Sequence, residues 1–204
     1  IMISAHWDTR PWAENSSTIM RKNQPVIGAN DGESGVAVIL ELAKIMKKIP
    51  PPIGVNLVLF DAEDYGTSAD SWSYAKGSQF FAQNIPINYP MYAINLDMIA
   101  DREPEFYIER YSYQQNPTLV LELWELAASL NLDTFKKQAK YTIFDDHVPL
   151  YQMAGIPAID IIDFDFPNEK TNYHHTHQDI VQNCSPKGLG DVGTLMLNHI
   201  YNIK

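Results

Sequence analysis

Two adjacent carboxylates, Glu63 and Asp64, follow an apolar run that ends at Phe60. Like charges side by side belong either to a solvated loop or to a site in which a bound cation offsets them. In such a site one carboxylate can bind the metal, while its neighbour stays free to move protons. The other ionisable residues of the chain decide between these two alternatives.

Carboxylates and histidines also follow other apolar runs or cluster in loops. Taken alone, each segment has an ordinary explanation, such as a turn, a hydrogen-bonded interior histidine or a charged loop. Asp97 fits such an explanation least, because a carboxylate between INL and MIA would be buried unless it is paired or ligated. Three of the six histidines lie within four positions, which favours a metal site. The segments are ISAHWD with His6, GANDGESG with Asp31, INLDMIAD with Asp97, FDDHVP with Asp145, AIDIIDFD with Asp160, and YHHTHQD with His174, His175 and His177.

These residue types point to zinc. Carboxylate and imidazole donors together suit this ion. The single cysteine, Cys184, provides no set of thiolates, so the site would be catalytic rather than structural. The sequence has no H-E-x-x-H segment, which removes the commonest zinc-peptidase pattern. A catalytic zinc site with a different arrangement of ligands is therefore predicted.

The elements that must position these residues alternate along the chain. Strands are predicted at residues 1–5, 55–60, 92–98, 105–108 and 158–162 from short runs rich in Val, Ile and Leu. Helices are predicted at residues 35–48, 78–83, 117–130 and 186–202, the last two after Asn116 and Ser185 as N-caps. This order predicts an α/β fold with a doubly wound, mostly parallel sheet and helices on both faces. The ligand crevice of such a sheet lies beyond the carboxyl ends of its strands, where the ionisable residues fall.

The composition allows one substantial core and excludes several classes of partner. With 204 residues, 45% of them hydrophobic, residues 1–204 are expected to form a single catalytic domain. The opening IMISAHWD resembles the interior of a strand, so we expect that part of the N-terminal portion is missing. A net charge of −10 argues against nucleic acid or an anionic membrane as a partner. No apolar run approaches the ~18 residues of a membrane span.

Six motifs, taken in order, resemble the zinc-dependent glutaminyl cyclases of bacterial type and the related co-catalytic zinc aminopeptidases. They are AHWDTRP, GANDGESGVAVILELA, FDAEDYG, INLDMIA, FDDHVPLYQMAGIPAIDII and HHTHQD. The resemblance implies an α/β-hydrolase-like doubly wound sheet, with Asp31, Asp64 and His175 as zinc ligands. It also implies that Glu63 is the general acid and base. The carboxylate pair is Glu-Asp here, whereas the family has Glu-Glu. The aspartate makes the zinc ligand shorter by one methylene.

The two branches of this superfamily differ in their metal count. In the aminopeptidases, His6 and Asp97 would bind a second zinc, with Asp31 as the bridging ligand. In the cyclases one zinc suffices, and Asp97 and Asp145 instead join a carboxylate relay beside Glu63. The Asp-Asp-His segment that begins at Asp145 resembles the cyclases, since related aminopeptidases usually have Ser-Asp-His.

The predicted function is therefore a glutaminyl-peptide cyclotransferase that converts N-terminal glutamine to pyroglutamate and releases ammonia. The alternatives are a two-zinc aminopeptidase and an inactive peptidase-like binding domain. The expected partners are peptide or protein N-termini, without nucleic acid or a membrane span. Bacterial relatives are often exported, which points to the periplasm or to secretion, although a single cysteine also suits a reducing compartment.

The resemblance also proposes a substrate pocket. Trp72 and Ile143 lie where the family has aromatic and apolar pocket walls, and Phe166 is a third candidate. Ordinary core packing is the alternative for each of the three. His174 stands where the family usually has tryptophan before the ligand histidine, so the substrate preference is expected to differ.

Overall fold

The computed structural model describes residues 1–86 and 88–203. Within them the strands are β1 (Met2–His6), β2 (Asn56–Phe60), β3 (Ala93–Asp97), β4 (Phe106–Ile108), β5 (Phe135–Ala139), β6 (Ala158–Ile162), β7 (Pro167–Asn168) and β8 (Thr171–Asn172). The helices are α1 (Glu33–Lys48), α2 (Lys76–Gln83), α3 (Arg110–Gln115), α4 (Pro117–Ser129), α5 (His147–Ala154) and α6 (Pro186–Asn202). Short 3-10 turns lie at Ile19–Arg21, Ser71–Ser73 and Val181–Asn183.

The central sheet has four strands in the order β2-β1-β3-β6, and each pair of adjacent strands is parallel. The register places Ser4 of β1 opposite Asn95 of β3, and Asn95 opposite Asp160 of β6. These three polar side chains therefore form a row across the sheet. The carboxyl ends of the four strands share one edge, as parallel pairing requires.

Helices cover both faces of this sheet because alternate strand residues point to opposite sides. Ile3 and Leu96 belong to a core cluster that also contains Val38 of α1, Leu123 of α4 and Leu195 of α6. The opposite face forms a second cluster. It joins Met2 and Ala93 to Phe81 of α2 and Leu150 of α5. The predicted α/β fold with a mostly parallel sheet and helices on both faces is confirmed.

Helix α1 lies directly against the sheet because Gly35 has no side chain. A Cβ at this position would lie 2.1 Å from the carbonyl oxygen of Leu96 and 2.7 Å from the Cβ of Ala5. This close approach brings the start of α1, and Asp31 just before it, to the carboxyl edge of β1 and β3. The helix begins at Glu33, two residues before the predicted start.

The capping predictions met different outcomes. The Asn116 side chain accepts a hydrogen bond from the backbone N–H of Leu119, so Asn116 caps α4 as predicted. Ser185 precedes Pro186 at the start of α6, but its hydroxyl donates to the carbonyl of Asp101 and does not cap the helix. Ser185 therefore occupies the predicted N-cap position, but its side chain does not cap the helix.

Other elements differ from the sequence prediction. The strand predicted at 105–108 exists as β4, but it pairs in parallel with β5 in a separate two-stranded sheet. Strand β5 (FKKQA) and helices α3 and α5 were not predicted, because each is short and none has a clear apolar period. Across the described residues, no helix combines the length and apolar character needed to cross a membrane.

Candidate active site

The candidate active site is a cavity at the carboxyl edge of the central sheet. His6 and Asp97 are the last residues of β1 and β3, and Glu63 and Asp64 follow β2 by three and four residues. Asp31 precedes α1, Asp145 precedes α5, and His175 lies in the segment between β8 and α6. The cavity has a volume of about 270 Å³. Its lining includes Asp31, Glu63, Asp64, Asp97, Asp145, His174 and His175.

The imidazole of His175 faces both Asp31 and Asp64 in this cavity. The Nε2 atom of His175 lies 2.9 Å from Oδ1 of Asp64 and 3.8 Å from Oδ2 of Asp31. All three side chains are buried. Oδ2 of Asp64 has no hydrogen-bond partner among the described residues, although it is buried. An unpaired buried carboxylate oxygen beside another carboxylate and an imidazole fits a bound divalent cation, so the three residues suit zinc.

A second donor group adjoins the first and shares Asp31 with it. Nε2 of His6 lies 3.2 Å from Oδ1 of Asp31 and 3.1 Å from Oδ1 of Asp97. One Asp31 oxygen therefore faces His175 and the other faces His6. Donor atoms of His6, Asp31 and Asp97 lie within 4.8 Å of one another. These three residues could hold a second cation.

The site holds His6 closely against the backbone. A Cβ at position 32 would lie 2.5 Å from two ring atoms of His6, so only glycine fits beside this imidazole. Nδ1 of His6 lies 3.0 Å from the carbonyl oxygen of Asp8, which accepts a hydrogen bond when Nδ1 carries a proton. That contact leaves Nε2 to face Asp31 and Asp97.

The buried carboxylates raise one another's proton affinity. Burial and the charge of Asp31 raise the pKa of Asp64 to about 6. Burial is the main cause that raises the pKa of Asp97 to about 7, against the hydrogen bond from His6. Burial, followed by the charges of Asp145 and Asp64, raises the pKa of Glu63 well above its ordinary value. For Asp31, the hydrogen bond from His6 and the nearby imidazoles outweigh burial and lower the pKa. So many negative groups in one cavity favour a bound cation.

Two carboxylates outside the donor groups hold the ligand-bearing backbone. Oδ1 and Oδ2 of Asp8 accept hydrogen bonds from the backbone N–H groups of Glu63 and Asp64, at 3.0 and 3.1 Å. The Asp179 carboxylate accepts from the N–H groups of Asn30 and Asp31, at 2.8 and 3.2 Å. Neither residue was predicted to have a role, although Asp8 lies in the motif AHWDTRP and Asp179 in HHTHQD. These contacts fix the segments that carry Asp31, Glu63 and Asp64.

Asp145 is hydrogen-bonded to Asn95, a member of the row of polar side chains that crosses the sheet. Its Oδ2 accepts from Nδ2 of Asn95 at 2.7 Å, and Oδ1 of Asn95 accepts from the Ser4 hydroxyl at 2.8 Å. Asp97 instead contacts His6. Among the described residues no hydrogen bond joins Asp97 directly to Asp145. The two carboxylates of the predicted relay therefore line the same cavity but have different partners.

The apolar wall of the cavity differs in part from the predicted one. Ile143 lines it, together with Phe164 and Met98. Phe166 does not line it, because this side chain is fully buried and packs edge-on against Tyr173. Trp72 lies one layer further out, with its ring 4.9 Å from that of Phe144, which does line the cavity. Phe164 therefore occupies the place expected for Phe166.

His174 also lines the cavity. Its ring lies 3.6 Å from that of His175 and 4.9 Å from that of Phe164, measured between centroids. Nε2 of His174 is 3.8 Å from Oδ2 of Asp31. Burial and the neighbouring His175 lower the pKa of His174 to about 4, so this imidazole is neutral near pH 7.

Strained backbone is concentrated at this edge of the sheet. Ala62, Met98 and His175 have φ values of 54°, 48° and 56°. Ala62 immediately precedes Glu63, and Met98 immediately follows Asp97. Left-handed conformations of residues other than glycine cost roughly 1–3 kcal/mol each and are typical of functional sites. Three of them beside or within the donor groups therefore support a functional role for this edge.

Comparison with known proteins identifies the family. The family model described as "Peptidase family M28" matches residues 1–200. The chain belongs to peptidase family M28. The M28 family and its zinc-dependent members imply an enzyme-type domain that uses zinc. The resemblance found in the six sequence motifs is thereby confirmed.

Solved structures place both branches of the superfamily among the relatives of this M28 chain. A glutaminyl cyclase from Tannerella forsythia is 36% identical, with a TM-score of 0.94 over 100% of this chain and 73% of that one. A Zn-dependent exopeptidase from Parabacteroides distasonis is 33% identical, with a TM-score of 0.93 over 99% and 73% of the two chains. Aminopeptidase YwaD of Bacillus subtilis is 25% identical over 98% of this chain. The chain spans only 40% of the length of that aminopeptidase.

Proposed function

We propose that this M28 domain is a zinc-dependent glutaminyl-peptide cyclotransferase. It would convert the N-terminal glutamine of peptides or proteins to pyroglutamate and release ammonia. The observation that carries the proposal is Asp145, a buried carboxylate that lines the same small cavity as Glu63. Glutaminyl cyclases among the solved relatives, at up to 36% identity, support it. We further propose that residues 1–204 act as one catalytic domain.

Asp31, Asp64 and His175 are the proposed ligands of one zinc ion. Nε2 of His175 faces both carboxylates, and the unpartnered Oδ2 of Asp64 is left for the metal. Bound zinc would act as a Lewis acid toward the γ-amide carbonyl of the substrate glutamine. A peptide could extend past Phe144 and Trp72, which line an adjoining pocket.

Glu63 is the proposed general base and general acid. Its carboxylate removes a proton from the α-amine, whose nitrogen then attacks the γ-amide carbon. The new C–N bond closes the five-membered ring, and the bond to the amide nitrogen breaks. Glu63 returns the proton to this nitrogen, which leaves as ammonia. The side chain suits both steps because it lines the cavity. Burial and the charges of Asp145 and Asp64 also raise its pKa.

Asp97 and Asp145 are the proposed supporting carboxylates. Asp145 is fixed by Asn95 and raises the proton affinity of Glu63 through its charge. Asp97 is fixed by His6 and lies beside Asp31. Their common role is to keep Glu63 able to hold a proton between its removal from the amine and its delivery to ammonia. Ile143, Phe164 and Met98 would enclose the uncharged glutamine side chain.

The second candidate function is aminopeptidase activity, which the group of His6, Asp31 and Asp97 favours. These residues could hold a second zinc, and Glu63 would then take a proton from water for attack on a peptide bond. The similarity to aminopeptidase YwaD also supports this alternative.

Replacement of Glu63 by glutamine tests the proposal. We expect E63Q to retain zinc and to lose turnover of a Gln-peptide, measured as ammonia release. Parallel assays of the wild type on a Leu-anilide substrate separate the two functions. Unchanged ammonia release by E63Q would contradict the role of Glu63. Leucine release without cyclisation of the Gln-peptide would establish the aminopeptidase instead.

A further inference from the structure

Arg10 and Glu14 connect the two chain segments that carry Asp64 and His175. Arg10 is 2% exposed, and its Nε and Nη2 groups both donate to the Glu14 carboxylate. The remaining terminal nitrogen, Nη1, donates to the carbonyls of Asp64 and Gly66. One guanidinium therefore holds the Asp64 segment on one side and Glu14 on the other.

Aromatic rings fix the position of this guanidinium. Its Cζ atom lies 4.7 Å from the ring centroid of Trp12 and 5.4 Å from that of Tyr74. The Tyr74 ring in turn packs on Gly66, where a Cβ would lie 2.2 Å from two of its atoms. Cation–π contacts and a full set of acceptors leave Arg10 little freedom to rotate.

Glu14, which Arg10 holds in place, in turn orients the imidazole of His175 through a hydrogen bond. Oε1 of Glu14 lies 3.0 Å from Nδ1 of His175, which donates to it. The Arg10 guanidinium pairs with both oxygens of the same carboxylate, which fixes their positions. With the proton held on Nδ1, the Nε2 atom faces Asp64 and Asp31 as a metal ligand must.

The backbone of the same segment reinforces the connection. The N–H of Asn15 donates to the carbonyl of His175 at 3.2 Å, and its side-chain amide donates to the carbonyl of His174 at 3.1 Å. The Ser16 hydroxyl accepts from the N–H of His177 at 3.1 Å. Arg10 to Ser16 thus form a strap that crosses both ligand-bearing segments.

We propose that Arg10 and Glu14 are positioning residues for the metal site, which set its affinity by fixing the Asp64 segment and the ring of His175 relative to one another. Neither residue lines the cavity, and no role was predicted for Glu14. The inference rests on the proposed zinc site but not on which reaction the site performs.

Zinc binding by variants of Glu14 tests the proposal. Outer-sphere partners of ligand histidines typically contribute 10- to 100-fold to metal affinity. We expect E14A to weaken zinc binding by about that factor, measured by competition with a chromogenic chelator, and to release zinc faster. We expect E14Q to be intermediate, because its amide oxygen can still accept from Nδ1 while the ion pair with Arg10 is lost. E125A is the matched control, since Glu125 forms an exposed ion pair with Lys137.

Thermal unfolding of the zinc-free proteins separates positioning from folding. We expect the Tm of zinc-free E14A to lie within a few degrees of that of the zinc-free wild type. We expect the rise in Tm on adding zinc to be smaller for E14A than for the wild type. Cobalt substitution gives a second measure, because a displaced imidazole changes the visible absorption of the bound ion. Zinc affinity and release of E14A equal to those of the wild type would overturn the inference. A wild type that binds zinc normally but does not cyclise Gln-peptides would contradict the proposed reaction and leave the inference standing.

Discussion

Nε2 of His6 lies 3.1 Å from Oδ1 of Asp97, so the carboxylate at the end of β3 is held by the imidazole at the end of β1. The same Nε2 lies 3.2 Å from Asp31. With one zinc at Asp31, Asp64 and His175, His6 acts as a hydrogen-bond partner. With two zinc ions, His6 would be a ligand. The metal count is therefore the property in which the two proposed functions differ most directly.

Substitution of His6 measures this difference. The cyclase proposal expects wild type and H6A each to retain about one zinc ion per chain after dialysis, because none of the three proposed ligands is removed. Metal analysis of dialysed protein gives the ratio. A wild-type ratio of two that falls to one in H6A would favour the aminopeptidase.

Asp145 should matter for turnover but not for metal binding. We expect D145N to lower kcat for a Gln-peptide by about 10²- to 10⁴-fold, because Glu63 loses the neighbouring charge that supports proton transfer. Zinc content should stay at the wild-type value, since Asp145 is not a proposed ligand. The matched control is D165N, which changes a carboxylate paired with Lys140 outside the cavity. Wild-type kcat in D145N would show that Asp145 has no catalytic role.

Phe164 and Phe166 should respond differently to truncation. F164A removes part of the cavity wall, so we expect KM for a Gln-peptide to rise about 10-fold or more, with a smaller change in kcat. F166A instead removes a fully buried ring and should lower the free energy of unfolding by about 3–5 kcal/mol. Steady-state kinetics and urea unfolding of both variants check the pair. A larger KM effect in F166A than in F164A would contradict this assignment of the wall.

Glu109 should make the fold sensitive to acid. Its buried carboxylate accepts from the N–H groups of Tyr111, Ser112 and Ile143, and from the imidazole of His147. Burial alone would raise the pKa of Glu109. The hydrogen bond from His147, followed by the charge of His147 and the backbone hydrogen bonds, outweighs burial and lowers this pKa to about 2. Because the folded-state pKa is below the unfolded value, the stabilisation is present above about pH 4.5 and is lost as the pH falls toward 2.

Unfolding of E109Q at several pH values tests this expectation. At pH 7 the variant should be destabilised by about 3–5 kcal/mol, because a charged partner of buried donors is lost. The difference from the wild type should shrink between pH 4.5 and pH 2. E105Q serves as the control, since Glu105 pairs with Lys136 at the surface. A constant difference across this pH range would refute the linkage.

The central sheet could be predicted from the sequence because its strands are short apolar runs. Residues 55–60, 92–98 and 158–162 each contain one observed strand of this sheet, and residues 1–5 cover all of β1 except His6. Strand β5 gave no such signal, since its lysines and glutamine are largely exposed in a separate two-stranded sheet. The carboxyl-edge rule was enough to gather Asp64, Asp97 and His6 in one place.

The support around the site could not be predicted in the same way. Glu14 and His175 are 161 residues apart and both lie in irregular segments, so no period of the sequence relates them. The choice between Phe164 and Phe166 also lay beyond the sequence. Strand β6 ends at Ile162, and no pairing with the central sheet fixes the direction of the side chains that follow.

The row of Ser4, Asn95 and Asp160 has a consequence for how the sheet assembles. These side chains are adjacent across β1, β3 and β6, and Asn95 hydrogen-bonds to Ser4 and Asp160. A slip of one residue between two of these strands would turn the polar members to opposite faces and leave them unpaired inside apolar layers. The row therefore discriminates against misaligned strands during folding. Side chains that support Asp145 beneath the cavity thus also specify the alignment of three strands.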